Sequence, residues 1–203
     1  MRNEQTSAGV QASRAERRKA RTRASILQAA SQLFRRHGFD ATSIQDIAEL
    51  ADLGVGTLYG HFASKEEILR EVLSTHSAEA VEQFRLAVHT DSPALDRLCT
   101  ALGAFASYLR DNRTILLAGF RLGMRSPRSD ESPSTWLGQA CRQLIAEGIA
   151  RGELKEVPVG ATVRLLMGTY TLAMLGIGGW HGHEDAAETV YDLETLARTL
   201  LGP

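Results

Sequence analysis

Arg14, Arg17, Arg18 and Arg21 recur at helical spacing on one side of the chain's opening segment, a pattern suited to contact with a polyanion rather than to catalysis. Residues 1–24 carry seven basic residues (Arg2, Arg14, Arg17, Arg18, Lys19, Arg21, Arg23) against Glu4 and Glu16, a net of +5. The remainder then carries −6 beneath a chain total of −1. A basic end on a mildly acidic body suits a protein whose one end meets nucleic acid. His181, His183, Glu184 and Asp185 stand close enough to chelate a metal, but no matching ligand cluster occurs elsewhere. A polar turn between helices is the plainer account, and neither metal nor cofactor is expected. Cys99 and Cys141 form no disulfide framework or metal pattern, which fits a reducing cytosol. Both fall on apolar helical faces, where cysteine behaves as a small hydrophobe; a redox sensor is the alternative. No nucleophile elbow, phosphate loop or paired carboxylate and histidine motif is present, so an enzyme is not expected.

The elements that must carry these residues are helical throughout. At 203 residues, 43% hydrophobic and 23% charged, the composition is that of an ordinary globular protein with one or two modest cores. Residues 1–13 are polar and unpatterned, and 1–21 are expected to form a flexible basic arm. Ile26, Leu27, Ala30, Leu33 and Phe34 then trace the buried stripe of a first helix, closed by Gly38 as a left-handed cap. A long helix is predicted from Lys65 to about His89, and another from Ser92-Pro93 with Leu95, Leu98, Leu102, Phe105 and Leu109 inward. Thr114 to Met124 is apolar nearly all round, which predicts burial on every side. Residues 125–134 read as a polar loop, and Trp136 to Ile149 as a regular helix stopped near Gly152. Residues 165–180 are free of charge but short and broken by Gly168, Gly176, Gly178 and Gly179, so a buried helix is expected there rather than a membrane span. No signal peptide pattern opens the chain, and a cytoplasmic protein is expected.

Between the first and the long helix, residues 42–67 read as two short helices and a tight turn. Ile44, Ile47 and Ala48 share one face of the first, with Thr42 and Gln45 set for a capping box. Asp52-Leu53-Gly54 supplies the turn, and Leu58 and Phe62 give the second, about 54–61, its inward stripe. Ser64 and Glu67 form another capping box and start the long helix at once. This is a helix-turn-helix, a shape that can present one helix to the DNA major groove.

The wording of this stretch closely resembles the DNA-binding domain of the tetracycline-repressor (TetR) family: Gly56-Thr57-Leu58-Tyr59, His61-Phe62 and Ser64-Lys65-Glu66-Glu67. The lead-in, Ile26 to Phe34 and His37 to Ser43, resembles it too, so the likeness covers about residues 22–72. The resemblance implies an all-α fold. An N-terminal three-helix, homeodomain-like helix-turn-helix domain (22–68) would follow the arm, with a helical ligand-binding and dimerisation domain (69–203) after it. It implies that Thr57, Tyr59, His61 and Lys65 anchor phosphates together with Thr42 or Ser43, and that Arg17 and Arg21 add to them. Thr42 also reads simply as a cap, and Tyr59 as partly core. Where the family commonly has polar or basic side chains, this chain has Gly54, Val55 and Gly60, and Asp52 stands where glycine is frequent. Few long donors mean little bidentate base readout. Close backbone approach at Gly56 and Gly60, apolar contact from Val55 and a reliance on DNA shape are expected instead.

In the C-terminal part, Phe84, Phe105, Tyr108, Phe120, Trp136, Met167 and Tyr170 are candidates to line an apolar ligand site, with Arg121 and Gln139 as polar handles. Aromatic residues at this spacing also serve as plain core. Helices about 159–180 and 185–201 resemble the pair through which family members dimerise. Gly168, Ala173 and Gly176 would allow close approach, with Val190, Leu193, Ala197 and Leu200 forming a seam. The expected protein is a homodimeric regulator, most simply a repressor of a palindromic double-stranded DNA operator released by a small molecule. An effector-independent structural DNA-binding protein is the alternative.

Overall fold

The computed structural model describes residues 3–88, 91–124, 132–177 and 186–202, which hold nine α-helices and no strand. In chain order they are α1 (Asn3–His37), α2 (Ile44–Leu50), α3 (Val55–Tyr59), α4 (Lys65–Val88), α5 (Ala94–Asp111), α6 (Arg113–Arg121), α7 (Pro133–Ala150), α8 (Val159–Leu175) and α9 (Ala186–Leu201). The chain divides into two compact units, Met1–Val72 and Leu73–Pro203, with α4 running through the division.

In the first unit, Ile26, Ala30 and Phe34 of α1, Ile47 and Ala48 of α2, Leu58 of α3 and Ile68 and Leu69 of α4 are all buried, and α2 packs on both α1 and α3. Phe39, just past α1, packs its ring 5.4 Å from that of Phe34. Gly38 has φ 84°, which only glycine adopts without strain, and its N–H bonds to the Phe34 carbonyl at 3.1 Å. In the stretch expected to form a basic arm, 1–21, the backbone is helical from Asn3, continuous with the rest of α1. Residues 11–24 are almost wholly Ala, Arg, Lys, Glu and Gln, whose straight side chains lose little freedom in a helix.

In the second unit, α5 packs on α7, α8 and α9, and α8 packs on α7 and α9. Its core joins Phe84 of α4 to Leu98, Leu102 and Phe105 of α5, Leu137, Leu144 and Ile145 of α7, Tyr170 and Met174 of α8, and Ala197 and Leu201 of α9. Phe84 meets Phe105 and Tyr108 edge to face, at 5.9 and 6.2 Å between ring centroids. At Gly148 a Cβ would lie within 2.9 Å of Ala94 and closer still to Leu154, so glycine is what lets these segments touch.

Two expectations of full burial are corrected. Along α6, Ile115, Ala118 and Gly119 are buried, but Phe120 is 72% exposed and Leu122 faces outward as well. Along α8, Leu165 is 55% exposed and Leu172 is also on the surface. Each helix is covered by its own unit on one side only, and an apolar run carries no record of which side that is. The described part of the expected 159–180 helix ends at Leu175, where Gly176 caps it in the left-handed region. His89 and most of the 125–134 loop lie outside the described residues.

Candidate nucleic-acid interface

The turn between α2 and α3 carries the departure that matters most for geometry. Asp52 has φ 55°, the left-handed conformation usually given to glycine and tolerated by Asp better than by most residues. Its N–H bonds to the Glu49 carbonyl at 3.1 Å and that of Leu53 to Ala48 at 2.9 Å. These two bonds are the Schellman pair that satisfies the end of α2 and reverses the chain. Gly54 then caps α3 without a side chain.

Helix α3 is five residues long and buries only Leu58. Gly54, Gly56, Thr57, Tyr59 and Gly60 are exposed, and Val55 is half-buried. The outward surface therefore offers two hydroxyls, Thr57 and Tyr59, among bare backbone. A helix this short cannot hold itself in water, so its place depends on what grips its two ends.

The preceding helix is capped by Ser43, not Thr42. The Ser43 hydroxyl accepts from the Asp46 N–H at 3.1 Å, and the Asp46 carboxylate accepts from the Ser43 N–H at 2.7 Å. The Ser43 hydroxyl and amide together hold the Asp46 carboxyl below its ordinary pKa. Thr42 is buried and donates to the Gly38 carbonyl at 2.8 Å. Its assignment to phosphate is corrected, because the hydroxyl is spent inside the unit. Of the second expected capping box one half forms: the Glu67 N–H donates to the Ser64 hydroxyl, while the Glu67 carboxylate accepts from the Ala63 N–H at 2.7 Å rather than from that of Ser64.

Lys65 is also engaged inside the unit. Its ammonium donates to the carbonyls of Phe39 at 2.8 Å and Thr42 at 2.7 Å and sits 4.3 Å from the centroid of the Phe39 ring. It fastens the loop between α1 and α2 to the start of α4. His61 is half-buried, with Nδ1 enclosed and without a hydrogen-bond partner, and its carbonyl accepts from Arg23 Nη1 at 2.8 Å. Arg23 also grips Glu71 through Nε at 2.8 Å and through Nη2, and its guanidinium lies 4.0 Å from the centroid of Phe62. Its place among the basic residues of the opening segment gives no sign of this role. Arg17 and Arg21 are exposed. A shallow groove lined by Arg18, Arg21, Thr22, Ser25 and Leu53 lies where the basic stretch of α1 passes the turn.

The second unit brings only some of its candidates together. Phe84, Phe105 and Tyr170 are fully buried, with Tyr108, Trp136 and Met167 half-buried against the same cluster. Phe120, Arg121 and Gln139 are exposed and join no apolar enclosure with them. The Tyr170 hydroxyl is buried without a hydrogen-bond partner, and burial pushes its pKa up. Burial raises Cys99 to about 11 and Cys141 to about 12, which removes the thiolate a redox sensor needs. Of the seam residues, Ala173, Leu193 and Ala197 are core of their own unit and Val190 packs against it. For Ala173, Leu193 and Ala197 this corrects the assignment to an interface, since a stripe spaced by three and four is the same whether a helix packs within a subunit or between two. Gly168 and Gly176 are half-buried, and Leu200 lies on the surface with Leu165, Leu172 and Leu196.

Among the described residues no group of three or more His, Cys, Asp or Glu is placed to hold a metal, and no helix is long and apolar enough to cross a membrane. His181, His183, Glu184 and Asp185 lie outside the described residues.

Residues 26–72 match the family model described as bacterial regulatory proteins, tetR family. An uncharacterised helix-turn-helix-type transcriptional regulator of Bacillus subtilis, YhgD, is 31% identical over 88 residues, 43% of this chain and 46% of that relative's length. The transcriptional regulator UidR of Escherichia coli is 24% identical over 150 residues, 72% of this chain and 76% of UidR. A crystal structure of a TetR/AcrR-family regulator from Thermobifida fusca superposes with a TM-score of 0.73 at 25% identity, covering 86% of this chain and 95% of that one. These similar proteins are transcriptional regulators, not enzymes.

Proposed function

Starting from the chain's membership of the tetR family of bacterial regulatory proteins, we propose that it is a homodimeric repressor that binds a palindromic operator and is released by a small, largely apolar ligand. The observation that carries this reading is α3 itself, which buries only Leu58 and turns every other position outward or half-outward. Thr57, Tyr59 and the Ser43 hydroxyl serve the phosphates, Val55 and the bare backbone at Gly56 and Gly60 face base edges, and Arg17 and Arg21 reach the flanking backbone. Tyr59 and Thr57 have nothing else to do in the first unit; Thr42 and Lys65 do.

Two copies meet through the apolar sides of α8 and α9. Leu165, Gly168 and Leu172 share one side of α8, and Leu196 and Leu200 stand a turn apart on α9, all outside the unit's own core. Such a patch on a monomer is costly and fits an isologous two-fold contact. The two copies of α3 would then sit about 34–36 Å apart, or a multiple, to occupy successive major grooves. A ligand held near Phe84, Phe105, Tyr108, Trp136, Met167 and Tyr170 lowers DNA affinity if it favours a conformer with the wrong spacing, and α4 is the continuous element that transmits the change. The protein would act in the cytoplasm, where its DNA is.

The close filling of the second core by Phe84, Phe105 and Tyr170 favours one other reading, a DNA-binding protein without an effector. Selection of genomic fragments by the purified protein at physiological salt separates the two. A short palindrome, bound by one dimer and released by an apolar compound, is the repressor's result. Uniform salt-sensitive binding with no motif belongs to the other.

A further inference from the structure

We propose that Arg23 is a positioning residue for operator recognition, locking the C-terminal end of α3 onto α1 and α4 without touching DNA. The inference rests on α3 being the helix that meets the operator. Arg23 stands in the most basic stretch of the chain, between Arg21 and the core stripe, where a phosphate contact is the obvious assignment. Its donors are directed elsewhere. Nε and Nη2 take both oxygens of Glu71 on α4, and Nη1 donates to the carbonyl of His61, the residue after the Gly60 cap of α3. The flat face of the same guanidinium covers the ring of Phe62, which is itself buried. One planar group thus joins three segments of the first unit.

Arginine is suited to this and lysine is not. The fork matches a carboxylate with two parallel bonds, leaves a further N–H for a carbonyl at a fixed angle and stacks on an aromatic face. The need for such a clamp follows from the length of α3. Its N-terminal end is set by the Asp52 turn and its middle by Leu58. At its C-terminal end the His61 and Phe62 N–H groups bond back to the Leu58 carbonyl at 2.9 and 3.0 Å, which closes the turn on itself, while Arg23 ties that turn to α1 and α4. Without Arg23 the end of α3 keeps its own turn and the buried Phe62 but loses its polar tie to α1 and α4, so that Thr57 and Tyr59 are held less firmly in register on the phosphates. Glu71 has the matching part. An acid in a DNA-binding unit repels phosphate, so its presence calls for a benefit, and holding Arg23 in place supplies one.

The two roles make opposite predictions for Glu71. By charge alone, Glu71→Gln removes a repulsion and tightens binding to any DNA. As half of the clamp, its loss weakens operator binding. The experiment takes the full-length protein with Arg23→Gln, Arg23→Lys and Glu71→Gln. Amide hydrogen exchange over residues 54–63 is measured in the free protein, and affinity for the selected operator and a random duplex across a salt series. Expected is faster exchange in that segment for all three variants, with operator affinity down about tenfold or more, the size of a lost base contact. Binding to the random duplex and its salt slope stay close to wild type. Tighter operator binding by Glu71→Gln, full affinity in Arg23→Lys, or an equal loss on both DNAs with a flattened slope would each overturn the proposal, as would unchanged exchange. Should Arg23→Gln not fold, Arg23→Lys and Glu71→Gln decide it. If the wild type selects no motif, the repressor reading fails, while the exchange rates still judge the clamp.

Discussion

The ammonium of Lys65 sits over the ring of Phe39 and donates to the Phe39 and Thr42 carbonyls, so the lysine whose place in the sequence suggests a phosphate contact closes a loop instead. A lysine has three N–H donors, and two of these are spent on carbonyls.

Replacing Lys65 by Met should therefore act on stability first. Loss of two charge-assisted hydrogen bonds is expected to cost about 1–3 kcal/mol, read from denaturant melts of the free protein. The slope of log affinity against log salt should barely move; a slope smaller by about one would return Lys65 to the phosphates.

The cap on α2 adds a pH dependence. The Asp46 carboxyl is held below its ordinary value of 3.8 by Ser43, so its contribution is complete above 3.8 and is lost as pH falls through the lower folded value. Thermal melts between pH 2 and 5 should show an acid loss in the wild type that is reduced in Asp46→Asn. Ser43→Ala should cost about 1 kcal/mol at neutral pH.

Cys99 and Cys141 should resist thiol reagents at pH 8 in the native protein and react fully once it is unfolded. Their raised pKa values favour the folded state below the ordinary thiol value of 9.0, and that advantage is lost as pH rises through about 11 and about 12. Rapid native labelling together with a change in DNA binding would restore the redox-sensor alternative.

Leu165 and Leu193 should separate interface from core. Leu165→Glu is expected to leave the melting profile of the dilute protein intact while sedimentation shows monomers and operator affinity collapses. Leu193→Ala should instead lower stability by about 2–5 kcal/mol, because it leaves a cavity inside the second unit. A Leu165→Glu protein that remains dimeric would move the interface elsewhere.

Gly56 has an ordinary backbone and open space around a would-be Cβ, so the fold does not require glycine there. Gly56→Ala should stabilise the protein by about 0.5–1 kcal/mol and weaken operator binding. If affinity is unchanged, the backbone of α3 does not approach the DNA closely.

Periodicity and local chemistry alone determined much of this protein. The inward stripe of Ile26, Ala30 and Phe34, the left-handed Gly38, the Ser64 and Glu67 cap and the Asp52 turn are interactions between residues a few positions apart, so their spacing encodes them directly. The all-α class and the helix-turn-helix follow from these. Which partner each long side chain chose was decided only by tertiary structure. Arg23 and Glu71 are 48 residues apart, Lys65 and Phe39 are 26 apart, and nothing in their local spacing joins them. The same holds for burial. Leu193 and Ala197 carry the same stripe whether it faces the subunit's own core or a second copy, and Leu165 and Phe120 look as apolar as their buried neighbours. Hydrophobic burial has no direction of its own; the packing of α5, α7, α8 and α9 around one another decides which faces are consumed and which are left for a partner.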